Sequence, residues 1–264
     1  MPWAERRRCR LHYELTGDEG LPVLVLIRGL ARSKSYWGAL LPLLQPHLRL
    51  LLLDNRGVGR SDATWGSYTT RQLADDVAAV MDAAQLERAH VFGISLGGMI
   101  AQELALAHGE RIDRLVLGCT TPGGRRARRT PALAQLGIVA AAFGRTDPLY
   151  GMLLSETTRR AHPEIREHWL ALTRTEPVPL RGLLGQAAAA LRHDVSERLA
   201  DITHPTLVLT GDEDVIVSPE NSRVLAAVIP NATLTVLRGA RHDFTTDRAD
   251  DAARAIVGFL GATR

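Results

Sequence analysis

The 264-residue chain is poor in the residues that would mark a disulfide scaffold, a nucleic-acid reader or a membrane protein. Its two cysteines, Cys9 and Cys119, stand far apart and match no metal or redox spacing. They read as buried or incidental free thiols, and no disulfide framework is implied. Lys34 is the single lysine, so arginine carries nearly all the positive charge behind a net +3. Aromatic residues make up 5 % of the chain and the arginines are scattered, which argues against a basic face with interleaved aromatics and hence against a nucleic-acid partner. No apolar run approaches the roughly eighteen residues that cross a bilayer. The start, Met1-Pro2-Trp3-Ala4-Glu5 followed by arginines, has no apolar segment of the secretory kind. No membrane partner and a cytoplasmic location are expected.

Hydrophobic residues at 45 % supply a substantial core, enough for one large α/β domain or a domain carrying an insertion. Apolar runs without clean alternation recur at 23–27, 48–53, 89–92, 115–117, 206–210 and 234–237, each bounded by Gly, Pro, Asp or Asn. Strands buried on both faces have this pattern. Helical patterns lie between several of them, at 70–84, 96–108, 219–228 and 247–260, and Ser218 caps the helix that opens at Pro219. Alternation of this kind gives a mostly parallel sheet covered on both faces. Residues 10–15 alternate polar and apolar and predict an antiparallel edge strand. The stretch 121–201 breaks the rhythm, with helical patterns at 132–143, 164–172 and 183–192 and no strand. It reads as a helical cap inserted between core segments 1–120 and 202–264. Pro122-Gly123-Gly124 marks its entrance and His204-Pro205 its return. Two arginine clusters, 6–10 and 125–129, read as solvated surface, though the second stands where it could draw anionic substrates toward a cleft.

Gly93-Ile94-Ser95-Leu96-Gly97 sits between an apolar run and a helical stretch. A G-x-S-x-G pentapeptide at such a junction reads as a nucleophile elbow, where strained backbone pushes a serine hydroxyl into the cleft. A serine hydroxyl is a weak nucleophile at neutral pH and needs a base, and the base needs an orienting acid. Ligand sites of open sheets lie beyond the carboxyl ends of parallel strands, so both partners belong in loops after strands downstream of Ser95. Of nine histidines, His242 follows the run 234–237 and precedes the last helix, with His193 and His204 as alternatives. Gly211-Asp212-Glu213-Asp214 follows the run 206–210. Asp214, third past the turn, is placed to point back over the strand ends, with Asp212 as alternative. The loop after 115–117 contains no acid. The chain order Ser95, Asp214, His242 is that of α/β-hydrolases.

With these residues in hand, the chain resembles the α/β-hydrolase superfamily over nearly its whole length. A second stretch carries the likeness: Asp54-Asn55-Arg56-Gly57-Val58-Gly59-Arg60-Ser61-Asp62 is similar to the family's D-x-R-G-x-G-x-S segment, whose Asp54 and Arg56 would hold loops. Small serine esterases and 3-oxoadipate enol-lactonase-like proteins look most similar. The resemblance implies an eight-stranded sheet, an ester or lactone substrate, no metal or organic cofactor, and an oxyanion hole from the amides of Leu30 and Leu96. Carbon-carbon bond hydrolases, cofactor-free haloperoxidases and thioesterases share the core and triad, and a receptor on the same fold is the alternative of another class. Where relatives carry His-Gly, this chain has Arg28-Gly29. Arg28 either bonds neighbouring loop groups or holds a substrate carboxylate. Tyr36, Trp37, Phe143 and Trp169 are candidates for the substrate pocket, or for packing.

Overall fold

The computed structural model describes residues 2–132, 134 and 147–261. Phe143 and most of the helix expected at 132–143 lie outside them. Eight strands form one sheet in the order β1-β2-β4-β3-β5-β6-β7-β8, with β1 Trp3–Arg6, β2 Cys9–Thr16, β3 Val23–Ile27, β4 Arg49–Leu53, β5 Ala89–Ile94, β6 Ile112–Gly118, β7 Thr206–Gly211 and β8 Ala232–Leu237. From β4 to β8 all neighbours are parallel, while β2 runs antiparallel to both β1 and β4.

The expected edge strand therefore lies one position inside the sheet. The true edge is β1, whose sequence Trp-Ala-Glu-Arg is too short and too charged to announce itself. Its hairpin turn uses Arg7 and Arg8 at φ +48° and +61°. Turns of that shape favour glycine and asparagine, so two arginines gave no signal.

Successive residues of a strand face opposite sides, and the strands here bury both. Leu24, Leu26, Leu50, Leu52, Phe92, Val116 and Leu209 face one side, and Val25, Ile27, Leu51, Leu53, Val91, Leu115, Leu117 and Val208 the other. The second side is covered by α1 Thr70–Ala83, α2 Leu96–Ala107 and the later helix Pro219–Val228. The first is covered by residues 36–44 and the last helix, Ala249–Leu260, through Ile256, Val257 and Leu260. Truncating any one of these fully buried leucines to alanine costs about 2–5 kcal/mol, so the strand ends form a rigid platform.

Between β6 and β7 lie α3 Asp147–Leu153, α4 Glu156–Ala161, α5 Glu164–Thr175 and α6 Leu180–Arg192, with no strand among the described residues. The chain leaves and re-enters at one point. Gly123 and Asp194 form an isolated bridge, and the Val195 amide donates to the Pro122 carbonyl at 2.9 Å. A second joint forms where α6 meets the Asp54–Ser61 loop: a Cβ on Gly182 would stand 2.1 Å from the Gly57 carbonyl oxygen, so only glycine permits this approach. Gln186 adds to that joint, donating to the Arg56 carbonyl and accepting from the Ala31 amide, both at 2.9 Å. The loop itself is held by Asp54, which accepts from the Lys34 and Arg60 amides, and by a bidentate pair from Arg56 to Asp76 at 2.7 Å. Two longer helices follow β7 and β8, α7 Pro219–Val228 and α8 Ala249–Leu260. Among the described residues, no helix is long and apolar enough to cross a membrane.

Candidate active site

β5 ends at Ile94 and α2 begins at Leu96, so Ser95 makes the whole turn, at φ +58° and ψ −121°. That backbone costs a residue with a side chain about 1–3 kcal/mol and persists only where the surroundings enforce it. They do so through close approach. A Cβ on Gly93 would stand 2.1 Å from the Gly97 oxygen, and one on Gly97 would stand 2.0 Å from the Ile27 oxygen. Hydrogen bonds complete the clamp: the Ser95 amide donates to the Gly118 carbonyl at 2.8 Å, and the Ser95 carbonyl accepts from Thr120 Oγ1 at 2.8 Å and the Gly98 amide at 2.9 Å.

The loop after β7 turns Asp214 inward and leaves Asp212 and Glu213 exposed. Asp212 fixes the neighbouring loop by accepting from the Gly239 amide at 2.7 Å. Asp214 Oδ1 accepts from the amides of Ile216 and Val217 at 2.8 and 2.9 Å, and its Oδ2 lies 2.7 Å from His242 Nδ1. With Nδ1 directed at the carboxylate, Nε2 is the ring nitrogen left for the cavity that His242 and Ser95 both line. His193 and His204 are elsewhere. His193 is buried against Thr70, and burial pushes its pKa down to about 4. His204 bonds the Gly109 carbonyl at 2.8 Å.

The cavity holds about 450 Å³. Its floor is Ser95, His242, Gly29 and Leu30, and its roof is Tyr150, Leu153, Trp169 and Leu183 from the helices between β6 and β7. The Gly29 turn abuts the serine so closely that a Cβ there would be 3.5 Å from Ser95 Oγ. Leu96 packs its side chain into the core, and its N–H is the first of α2, one of the helix amides with no intrahelical acceptor. The loop carrying His242 is tied to the roof: the Asp243 amide donates to the Leu153 carbonyl at 2.9 Å, and the Asp247 carboxylate accepts from the Ser155 amide at 3.0 Å.

Tyr36 and Trp169 line the cavity, whereas Trp37 does not. Trp37 is 1 % exposed and packs against Phe92 in the core, because the tight turn that aims Tyr36 at the cavity aims its successor the other way. Arg28 reaches the cavity wall, but its guanidinium bonds Asp243 at 2.5 Å and Thr245 at 3.1 Å and lies over the Trp37 ring. Its charge is thus balanced within the protein. Sequence reading passed over Arg32, which also lines the cavity. The available signal was a cation two residues past Leu30 and four before Tyr36.

Cys119, Asp214 and His242 bring three donor atoms within 4.8 Å of one another. Burial and the Asp214 carboxylate both push the Cys119 thiol well above its usual pKa. The Cys119 thiol is thus a hydrogen-bonding neighbour of the Asp214 carboxylate.

Residues 22–248 match the family model described as alpha/beta hydrolase fold. The chain is 33 % identical over 262 residues to a putative carbamate hydrolase RutD of Caulobacter sp. strain K31, covering 95 % of each chain. Among solved structures it is similar to the enol-lactonase of Burkholderia xenovorans LB400, with 29 % identity, a TM-score of 0.86 and coverage of 98 % of this chain and 100 % of that one. It is also similar to a hydrolase from Pseudomonas aeruginosa, with 31 % identity, a TM-score of 0.81 and coverage of 98 % and 97 %. A strand-turn-helix serine, a histidine bonded to a carboxylate on later strand ends, and this match over most of the sequence lead to one assignment: the chain is a hydrolase of the α/β-hydrolase superfamily.

Proposed function

We propose that the protein hydrolyses a carboxylic ester or lactone through an acyl-enzyme on Ser95, with residues 121–201 acting as a cap that shapes the acyl pocket. The observation that carries this reading is the joint lining of one cavity by the strained Ser95 and by His242, whose far nitrogen is held by Asp214. Ser95 Oγ attacks the substrate carbonyl carbon as its proton passes to His242 Nε2. The carbonyl oxygen becomes an oxyanion facing the amides of Leu30 and Leu96, each donor being worth about 3 kcal/mol of barrier. Asp214 steadies the imidazolium. His242 then gives its proton to the departing alkoxide, which leaves as an alcohol or, from a lactone, stays tethered as a hydroxyl. Water attacks the acyl-enzyme, gives a proton to the same nitrogen, and the free acid departs as Ser95 recovers its hydrogen.

The named activities of the relatives, on an enol-lactone and a carbamate, both involve attack on an acyl carbon and so fit the same reaction class. Hydrolysis of p-nitrophenyl butyrate and of a simple lactone tests the reading. Ser95→Ala is expected to lower kcat about 10⁵-fold or more. A variant that keeps the wild-type rate contradicts it.

A further inference from the structure

Among the described residues, the charged side chains that line the cavity are Arg28, Arg32, Arg166, Glu176 and Asp243. Arg28 and Asp243 neutralise one another. Glu176 is engaged by the hydroxyls of Ser33 and Ser35, and Arg166 has an interaction of its own. Arg32 differs from all of these. Its guanidinium carbon lies 4.1 Å from the Tyr36 ring centroid and 4.6 Å from that of Trp169, wedged between two rings inclined at 62°. Among the described residues, no carboxylate forms an ion pair with it.

Ring contacts engage the flat π-system of a guanidinium and fix its orientation, while the in-plane N–H donors stay available. Burial, and after it the Arg28 guanidinium, act against the charge and lower the Arg32 pKa, while Tyr36 and, from beyond ion-pair distance, the Asp243 carboxylate favour it. A half-buried cation with no carboxylate in ion-pair contact is only partly compensated, and a cavity wall is where a ligand can supply the missing contact. A planar carboxylate matches the fork of donors in two parallel hydrogen bonds.

We infer that Arg32 binds the carboxylate of the substrate, so that the preferred ester or lactone is a monoanion carrying a free carboxylate besides the bond to be cleaved. This rests on the hydrolytic reading of the same cavity. Arg28, balanced by Asp243, is not that anchor. The aromatic walls flank the pair, and the two-residue separation between Leu30 and Arg32 sets how far the carboxylate stands from the reacting carbonyl.

The test compares mono-p-nitrophenyl glutarate and adipate, with the charge on the acyl side, and 4-acetoxybenzoate, with the charge on the alcohol side, against neutral esters of matched length. The readout is the ratio of kcat/KM for anionic over neutral substrate. Wild type is expected to favour one anionic series, and Arg32→Met, which keeps the apolar stem, to lower that ratio about 10- to 100-fold, mainly through KM. Arg32→Lys, which keeps the charge but loses the fork, falls between. No preference in wild type, or a preference that survives Arg32→Met, overturns the inference. Calorimetric titration into Ser95→Ala of monomethyl glutarate or 4-acetoxybenzoate, whichever belongs to the favoured series, separates it from the catalytic reading. Binding that weakens at least tenfold in the Ser95→Ala, Arg32→Met double variant supports the Arg32 role even if Ser95 proves dispensable for turnover. Equal binding by both, or none to Ser95→Ala, overturns it.

Discussion

The floor and the roof of the cavity are built by different rules. Floor residues sit at strand ends, where backbone contacts leave almost no freedom. Gly93 and Gly97 touch backbone oxygens, Ser95 is held by four hydrogen bonds, and Asp214 is fixed by two amides before it meets His242. Roof residues come from helices that pack on the platform through side chains. Leu153, Leu154 and Trp169 of the roof form a small cluster with Tyr36, Ile216 and Val217 of the platform loops, separate from the two large cores. Chemistry needs tight placement, and the sheet supplies it. Selectivity needs a wall that can change without disturbing that placement, and helices joined to the platform at a few points supply one.

Asp214→Asn breaks the floor while leaving its shape. The amide cannot stabilise an imidazolium and favours the wrong ring tautomer, so kcat should fall about 10⁴-fold with little change in KM. Equal losses in kcat and stability would make Asp214 a structural residue only. Gly182→Ala strikes the joint between roof and floor, where the added methyl meets the Gly57 oxygen. A cost of about 1–3 kcal/mol in urea unfolding is expected, with KM disturbed more than kcat. An unaltered midpoint and unaltered kinetics would mean that the two parts move independently.

His193 offers a smaller probe at the same boundary, since it follows α6 and is bonded to Thr70 of α1. Its folded pKa of about 4 lies below the ordinary 6.5. Between those values the unfolded chain takes up a proton that the folded protein refuses. The contribution is therefore complete above pH 6.5 and is lost as pH falls toward 4, by roughly 2–3 kcal/mol. Urea unfolding at several pH values should show this slope, and His193→Gln should flatten it. An identical slope in the variant assigns the acid sensitivity elsewhere.

The difference between floor and roof also explains what was legible in the sequence. Ser95, Asp214 and His242 could be placed in the sequence because each follows a strand and each has, within three residues, a glycine that the turn requires. The strands at 23–27 and 206–210 and the helix at 219–228 were found within a residue or two of their bounds. The roof was harder. Helices α3 and α4 gave no clear period, and nothing in a helical pattern says which side chains face a cavity and which face solvent. Trp37 and Tyr36 are neighbours in sequence with opposite destinations. Arg32 gains its meaning from rings at positions 36 and 169, one of which arrives from a distant helix. Edge strand β1 escaped for a different reason: its turn residues are arginines in a backbone shape that normally selects glycine.

Covalent trapping tests the central claim most directly. Incubation with a fluorophosphonate followed by intact-mass measurement and peptide mapping should give one adduct, on Ser95, absent from Ser95→Ala and formed far more slowly in His242→Ala. An adduct on another residue, or labelling of Ser95→Ala at the wild-type rate, contradicts it.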